Sequence, residues 1–354
     1  MAIITPPASW TSSQILCEKK ENSLYLKKRT TPYYIIIPIF EATIEDTVLN
    51  KSIYGYKFIS SEQFHKEYSE KLYDADNLLE NDIQLPVVGK VVTRPISRYV
   101  LIKEIELSDI TDEKAQINNE NKLKKEFDFI NNLITSFHLL QSGSININKV
   151  YVLSDNSSTN YMIKSSTSLY EIKNNYFLEN KYFYHIRPYS ISLDITEKIM
   201  RLIVDIFKVG DKYTIPLFYF NKYFSSYDII DKLINLSIVW ESTILANQRK
   251  NLRSTLARRG SCLLHQNLSD ILKLAYDLRS EIVHNGNISN KTLNKIKNSP
   301  DIMDSMEEDI DFGVLFNFLI KYLEPITRTI LVTILLELSS NDLTLDDLLK
   351  NLDL

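Results

Sequence analysis

The chain has 354 residues, 44% hydrophobic and 24% charged, the composition of an ordinary water-soluble protein with enough length for two cores. Its formal net charge of −4 argues against a broad nucleic-acid grip but leaves room for a local basic patch. Two cysteines, Cys17 and Cys262, exclude a disulfide framework and suit a reducing cytoplasm.

Met1–Trp10 lacks the basic start and apolar run of a secretory signal. The longest strongly apolar stretch, Ile330–Leu336, is too short to span a bilayer. The expectation is a cytoplasmic protein with no membrane partner. Gly (7) and Pro (10) are scarce, so Asn, Ser and Asp must make most turns.

Residues 1–190 read as a strand-rich domain. Tyr33–Phe40 is β-branched and aromatic, with Pro38 demoting it to an edge or a bend. Tyr54, Tyr56 and Phe58 alternate as a half-buried strand. Ser60 with Gln63 predicts a capping box ahead of a short helix through Phe64, Tyr68 and Leu72. Val87–Val92 and Tyr99–Ile105 read as strands. A long helix is predicted over Asn119–Gln141, with Leu123, Phe127, Ile130, Leu133, Ile134, Phe137 and Leu140 inward and Gly143 as its stop. Short strands follow at Val150–Leu153, Tyr161–Lys164, Ser168–Ile172 and Lys181–Ile186. The tyrosines of this half fit a β core with hydroxyls at its rim better than a base-stacking platform.

At Ser190–Leu193 the dominant period changes from two residues toward 3.6, which places a domain boundary there. Residues 191–354 then read as a helical bundle, for an α+β chain overall. Ile195, Ile199, Leu202, Ile203 and Ile206 make the first stripe, stopped near Gly210. Pro216 suits a helix start. Ser226 is a candidate cap for a helix running through Leu245. Asp309–Leu338 is the longest helical run, with a break allowed at Pro325, and Thr344 with Asp347 starts a terminal helix.

In Leu268–Gly286, Ile271, Leu274, Ala275, Leu278 and Ile282 recur at helical spacing. Ser269 or Asp270 is placed to cap the start, and Gly286 to end it. Arg279 and His284 lie off the apolar face. Five residues turn a helix by about 140°, so one straight helix does not aim both at one atom. Either the helix ends between them or two copies meet. Just upstream, no acidic residue occurs between Ser242 and Ser269, while Arg249, Lys250, Arg253, Arg258 and Arg259 do. That window either contacts phosphates or is a basic connection balanced in space by Glu307–Asp311.

Other chemistries lack a motif. The five histidines show no metal-ligand spacing, and Cys262-x-x-His265 stands without a second pair. Neither common glycine-rich phosphate loop occurs, nor a serine-centred nucleophile elbow. No cofactor is expected.

Tyr276-Asp-Leu-Arg-Ser-Glu-Ile-Val-His-Asn-Gly286 resembles the signature of the HEPN superfamily, whose ribonuclease members carry Arg-x4–6-His. Asp231–Leu245, with Glu241 after an apolar run, is similar to the segment preceding that motif in the ApeA-like HEPN family. Leu256–Arg259 resembles the family's link between the two. The resemblance covers roughly residues 194–340. It implies a homodimer whose paired motifs line a cleft, and a metal-independent endoribonuclease of bacterial anti-phage defence or a toxin system. On that reading His284 is the general acid or base and Arg279 holds the phosphate. Glu241 orients one of them, with Ser280 and Asn285 in support, and Arg249, Lys250, Arg253, Arg258 and Arg259 track the RNA backbone. Residues 1–190 then sense a phage or host trigger or position RNA. Many active members place Asn, Asp or His directly after the Arg, where this chain has Ser280. The alternative is a non-catalytic HEPN-type sensor or partner-binding module.

Overall fold

The computed structural model describes residues 32–39, 42–72, 79, 97–107, 113–141, 145, 149–154, 161–164, 189–226, 228–299, 312–341 and 343–353. The chain divides into two compact units, one of residues 1–137 and 142–200, the other of residues 138–141 and 201–354. The division near residue 200 falls inside a helix, about ten residues after the change in sequence period.

The first unit is built on a six-stranded sheet, in the order β3-β4-β5-β1-β6-β7, every pairing antiparallel. Its strands are β1 (Tyr33–Ile39), β3 (Ser52–Ile53), β4 (Tyr56–Ser60), β5 (Tyr99–Ile105), β6 (Lys149–Ser154) and β7 (Tyr161–Lys164). A parallel pair, β2 (Ala42–Ile44) with β8 (Tyr189–Ile191), is separate from it.

β1 is a central strand, not the edge or bend expected from Pro38. It pairs with β5 from Tyr33 to Ile39 but with β6 only from Tyr33 to Ile36. Pro38 therefore lies past the last β1–β6 pair, where its missing N–H interrupts a ladder on at most one side. All seven β1 residues are buried, as a strand covered on both faces requires.

Tyr54 is not in a strand either. With φ of 51° at Tyr54 and 87° at Gly55, the two residues form the β3–β4 hairpin turn, a geometry that needs two left-handed residues.

Helix α1 (Ser61–Tyr68) ends before Leu72 and starts with half of the expected capping box: Ser60 Oγ accepts from Gln63 N–H at 3.1 Å, while Gln63 Nε2 donates to Asn50 Oδ1 and Glu67 Oε1 at 2.9 Å. Helix α2 (Glu113–Leu140) begins six residues before the predicted start. Its Ile130, Leu133, Ile134 and Phe137 are buried as expected. Glu126 on α2 accepts from Tyr56 Oη at 2.9 Å and from Lys103 Nζ at 2.7 Å, so a partly buried ion pair is fully hydrogen-bonded. The strands expected at Val87–Val92, Ser168–Ile172 and Lys181–Ile186, and the stop at Gly143, lie outside the described residues.

From residue 193 the described chain is helical apart from short connections: α3 (Leu193–Val209), a 3-10 turn (Gly210–Tyr213), α4 (Thr214–Ser225), α5 (Ile229–Ser242), α6 (Leu252–Leu264), α7 (Ser269–Asn285), α8 (Asn290–Lys297), α9 (Phe312–Ser340) and α10 (Leu345–Asp353). One apolar core joins α3 to α10, and Trp240 of α5 is the largest side chain fully buried in it. The indole N–H donates to Thr327 Oγ1 at 2.9 Å, satisfying the one polar atom that burying a tryptophan strands.

Several boundaries move. Asp228, not Ser226, caps α5, its Oδ1 accepting from Ile230 N–H at 2.6 Å and Asp231 N–H at 3.2 Å. Ser226 instead closes α4, donating to Lys222 O at 2.8 Å. Pro325 does not break α9. Thr344 and Asp347 form the reciprocal cap expected of them, at 3.2 and 3.3 Å. No helix among the described residues is long and apolar enough to cross a membrane.

The acid-free window contains a helix, α6, that sequence periodicity does not reveal. Its buried side is Thr255, Leu256, Ala257, Arg259, Gly260 and Leu263, too small and polar to read as an apolar stripe. Gly260 lets α6 lie close against α7, because a Cβ there would sit 2.6 Å from Leu272 Cδ1.

Candidate functional site on helix α7

Helix α7 packs through Ile271, Leu274, Ala275 and Leu278, as its spacing predicts, and through Leu272 as well. Neither Ser269 nor Asp270 caps it. Leu268 is the N-cap residue, and its N–H donates to Ser261 Oγ at 3.1 Å. At the other end Gly286, with φ of 67°, ends the helix and returns its N–H to Ile282 O at 3.0 Å.

Because α7 runs unbroken to Asn285, Arg279 and His284 are on the same helix. The helix does not end between them. Within one copy they therefore leave the axis about 140° apart. Between them around the axis lie Tyr276, Ser280 and Val283, the solvent-facing strip of the helix. Val283 is 47% exposed, while Tyr276 and Ser280 are half-buried. His284 and Asn285 are exposed.

Glu241, on the last turn of α5, resolves which partner it serves. Arg279 Nη2 lies 2.6 Å from Glu241 Oε1, with the two side chains 21% and 38% exposed. Burial raises the Glu241 carboxyl above its usual pKa, and the Arg279 guanidinium offsets this only in part. The pair fixes the guanidinium, and the Arg279 side chain remains part-exposed.

The basic window divides in two. Arg253 Nε and Nη2 donate to Asp277 Oδ1 and Oδ2 at 2.6 and 3.0 Å. Arg258 Nη2 and Arg259 Nη2 each lie 2.5 Å from Asp353, and Arg259 Nη1 donates to Ile244 O at 2.6 Å. The Arg259 side chain is 6% exposed, so it is a structural cation and not the solvent-facing phosphate contact expected of it. Asp277 and Asp353 thus balance Arg253, Arg258 and Arg259; Glu307–Asp311, the stretch expected to do so, lies outside the described residues. Arg249 and Lys250 are exposed and, among the described residues, make no side-chain ion pair. Arg249 and Arg253 line an open depression of about 420 Å³ beside Tyr276, so the remaining cationic surface adjoins the α7 strip.

Three acidic side chains not singled out by the sequence therefore shape the region: Asp277, Glu281 and Asp353. Asp277 also approaches Lys295 Nζ of α8 at 3.4 Å. Glu281 accepts from the start of α8. No local spacing marks them, since their partners lie on other helices or, for Ser289, at the cap of one.

His138 is excluded from acid–base work. Burial lowers its pKa to about 4, its Nδ1 is 2.8 Å from Asn221 Oδ1, and its ring stacks on Phe224 at 4.0 Å. It is a neutral core imidazole. Among the described residues no group of three or more His, Cys, Asp or Glu side chains is placed to hold a metal ion.

Comparison with protein-family models gives no match for this chain, and searches of curated proteins and of solved structures give none either.

Proposed function

We propose that the chain is a metal-independent endoribonuclease of the HEPN type, acting as a homodimer in bacterial anti-phage defence or a toxin system. The observation that carries this reading is the Glu241–Arg279 pair, which holds a guanidinium beside a solvent-facing strip whose other flank is the exposed His284. A guanidinium held by a carboxylate on one edge still offers donors to a phosphate on the other.

In the proposed reaction the RNA 2′-oxygen attacks its own 3′-phosphate, forming a P–O bond as the bond to the 5′-oxygen breaks. A neutral His284 imidazole takes the proton of the attacking hydroxyl, or an imidazolium gives one to the leaving oxygen. Arg279 stabilises the charge that builds on the non-bridging oxygens. Because α7 points the two groups apart, a complete site takes Arg279 from one copy and His284 from the other. A two-fold axis would then give the dimer two such sites, each with one Arg279 and one His284 from different copies. Arg249 and Lys250, with the depression beside Tyr276, form the track for flanking phosphates.

A second reading, a non-catalytic HEPN-type sensor or partner-binding module, draws on a specific observation. Arg253, Arg258 and Arg259 are engaged by carboxylates of the same chain, which leaves a narrow cationic surface. One assay separates the two. Purified protein incubated with a mixed RNA pool in excess EDTA is expected to cleave it and leave 2′,3′-cyclic phosphate ends. Intact RNA with folded, dimeric protein would favour the sensor. Cleavage that EDTA stops and added metal restores would contradict the metal-free mechanism.

A further inference from the structure

The last turn of α7 carries His284 yet lies beyond the last fully buried residue of the helix, Leu278, with Ile282 only half-buried. A helix end with so little packing frays unless something outside it holds it. Here Ile282 and Ile288 rest on the apolar core, and Glu281 ties the turn to Ser289 and Thr292 beyond it. Glu281 Oε2 accepts from Ser289 N–H at 2.7 Å, and its Oε1 accepts from Ser289 Oγ at 2.9 Å and Thr292 Oγ1 at 2.7 Å. Ser289 is also the N-cap of α8, its Oγ lying 3.3 Å from Thr292 N–H. The clasp spans the Gly286–Ile288 connection and closes it from both sides. Hydrogen bonds from Thr292, then from Ser289, hold the Glu281 carboxyl below the usual carboxylate range, so it is ionised at neutral pH and accepts at both oxygens.

We infer that Glu281 is a positioning residue for His284: through Ser289 and Thr292 it locks the final turn of α7 and fixes where the imidazole stands relative to Arg279. His284 follows Glu281 by three residues, one turn along the same side of the helix. The carboxylate's hydrogen-bonding capacity is turned toward α8, so it acts through the backbone of that turn and not by contact with RNA. The catalytic consequence rests on the ribonuclease reading; the clasp does not.

The test compares full-length wild type with Glu281→Ala, Glu281→Gln, the pair Ser289→Ala/Thr292→Val, and that pair combined with Glu281→Ala. For each, kcat and KM on RNA and amide hydrogen exchange over residues 282–289 are measured. Glu281→Ala is expected to lower kcat by about 10- to 100-fold with KM within about twofold, the cost of a displaced catalytic group. Protection at Gly286 and Ser289 should fall with it. Glu281→Gln, which keeps one accepting oxygen, should retain more of kcat than Glu281→Ala. The combined variant should be no worse than Glu281→Ala alone, since all three residues act as one unit. An unchanged kcat, a rise confined to KM, or additive losses would overturn the positioning role. A wild type that cleaves no RNA overturns the ribonuclease reading and leaves the exchange measurement to decide the clasp. Unchanged protection at Gly286 and Ser289 in Glu281→Ala would overturn the clasp itself.

Discussion

His284→Ala is expected to slow RNA cleavage by about 10²- to 10⁴-fold, the range for losing a general acid or base, with folding and dimerisation intact. The imidazole is exposed in the last turn of α7 and, among the described residues, makes no hydrogen bond or ion pair. Removing it leaves no buried group unpaired and opens no cavity, so the melting temperature should stay near that of wild type. Undiminished cleavage by the purified variant would remove His284 from the mechanism. Arg279→Ala should also lose activity, but its loss differs in kind. It leaves the partly buried Glu241 carboxylate without its guanidinium, so some loss of stability is expected alongside.

The second large effect concerns the basic window, whose members should separate into two behaviours. Arg259→Ala is expected to lower folding stability by about 3 kcal/mol, as removal of a buried, hydrogen-bonded cation does. The substitution breaks its contacts to Asp353 and to Ile244 O together. Arg259, and after it Arg258, hold the Asp353 carboxyl well below the usual carboxylate range. A folded-state pKa depressed in this way gives stability that is present above the unfolded carboxylate pKa. That contribution is lost as pH falls through the folded value. Stability should therefore decline on acidification in wild type and show a weaker decline in Asp353→Asn, measured by urea unfolding across pH. RNA affinity of the folded Arg259→Ala protein should be unchanged. By contrast Arg249→Ala/Lys250→Ala should leave stability alone, weaken RNA binding, and reduce the salt-dependence slope by about 1 to 2. The reverse pattern, with affinity lost in Arg259→Ala and kept in Arg249→Ala/Lys250→Ala, would contradict the division of the window drawn from the ion pairs.

Local signals in the sequence served well where the structure is local. The Ile271–Leu278 stripe, the left-handed stop at Gly286, the Ser60 cap on Gln63 N–H and the reciprocal Thr344/Asp347 cap depend on residues within a turn or two of each other, and all are observed. Features that depend on distant partners were missed. The central place of β1 follows from β5 and β6, which lie far along the chain, and no property of Tyr33–Ile39 alone sets it. The positive excess of the 242–269 window looked uncompensated because its acids stand elsewhere: Asp277 is 24 residues from Arg253, and Asp353 is 94 from Arg259. Helix α6 has no legible period because its buried side uses Thr255, Gly260 and Arg259 where large apolar residues would show one. At the candidate site itself the residue types and spacing could be read in advance. The choice of Arg279 as the partner of Glu241, and the unbroken run of α7 through His284, could not. Both depend on where α5 and α7 meet and on how the chain leaves α7 after Asn285.

The unbroken helix turns the geometry into a claim about two copies, and mixing variants tests that claim directly. Arg279→Ala and His284→Ala proteins, each folded, dimeric and inactive alone, are combined under conditions that let subunits exchange. A mixed dimer holds one Arg279 and one His284, on different chains. If the site is assembled across the two-fold axis, the mixture should regain cleavage, up to about one intact site in the mixed dimers, which make up about half of a random exchange. A mixture that exchanges subunits yet stays as inactive as its parents would contradict the shared site.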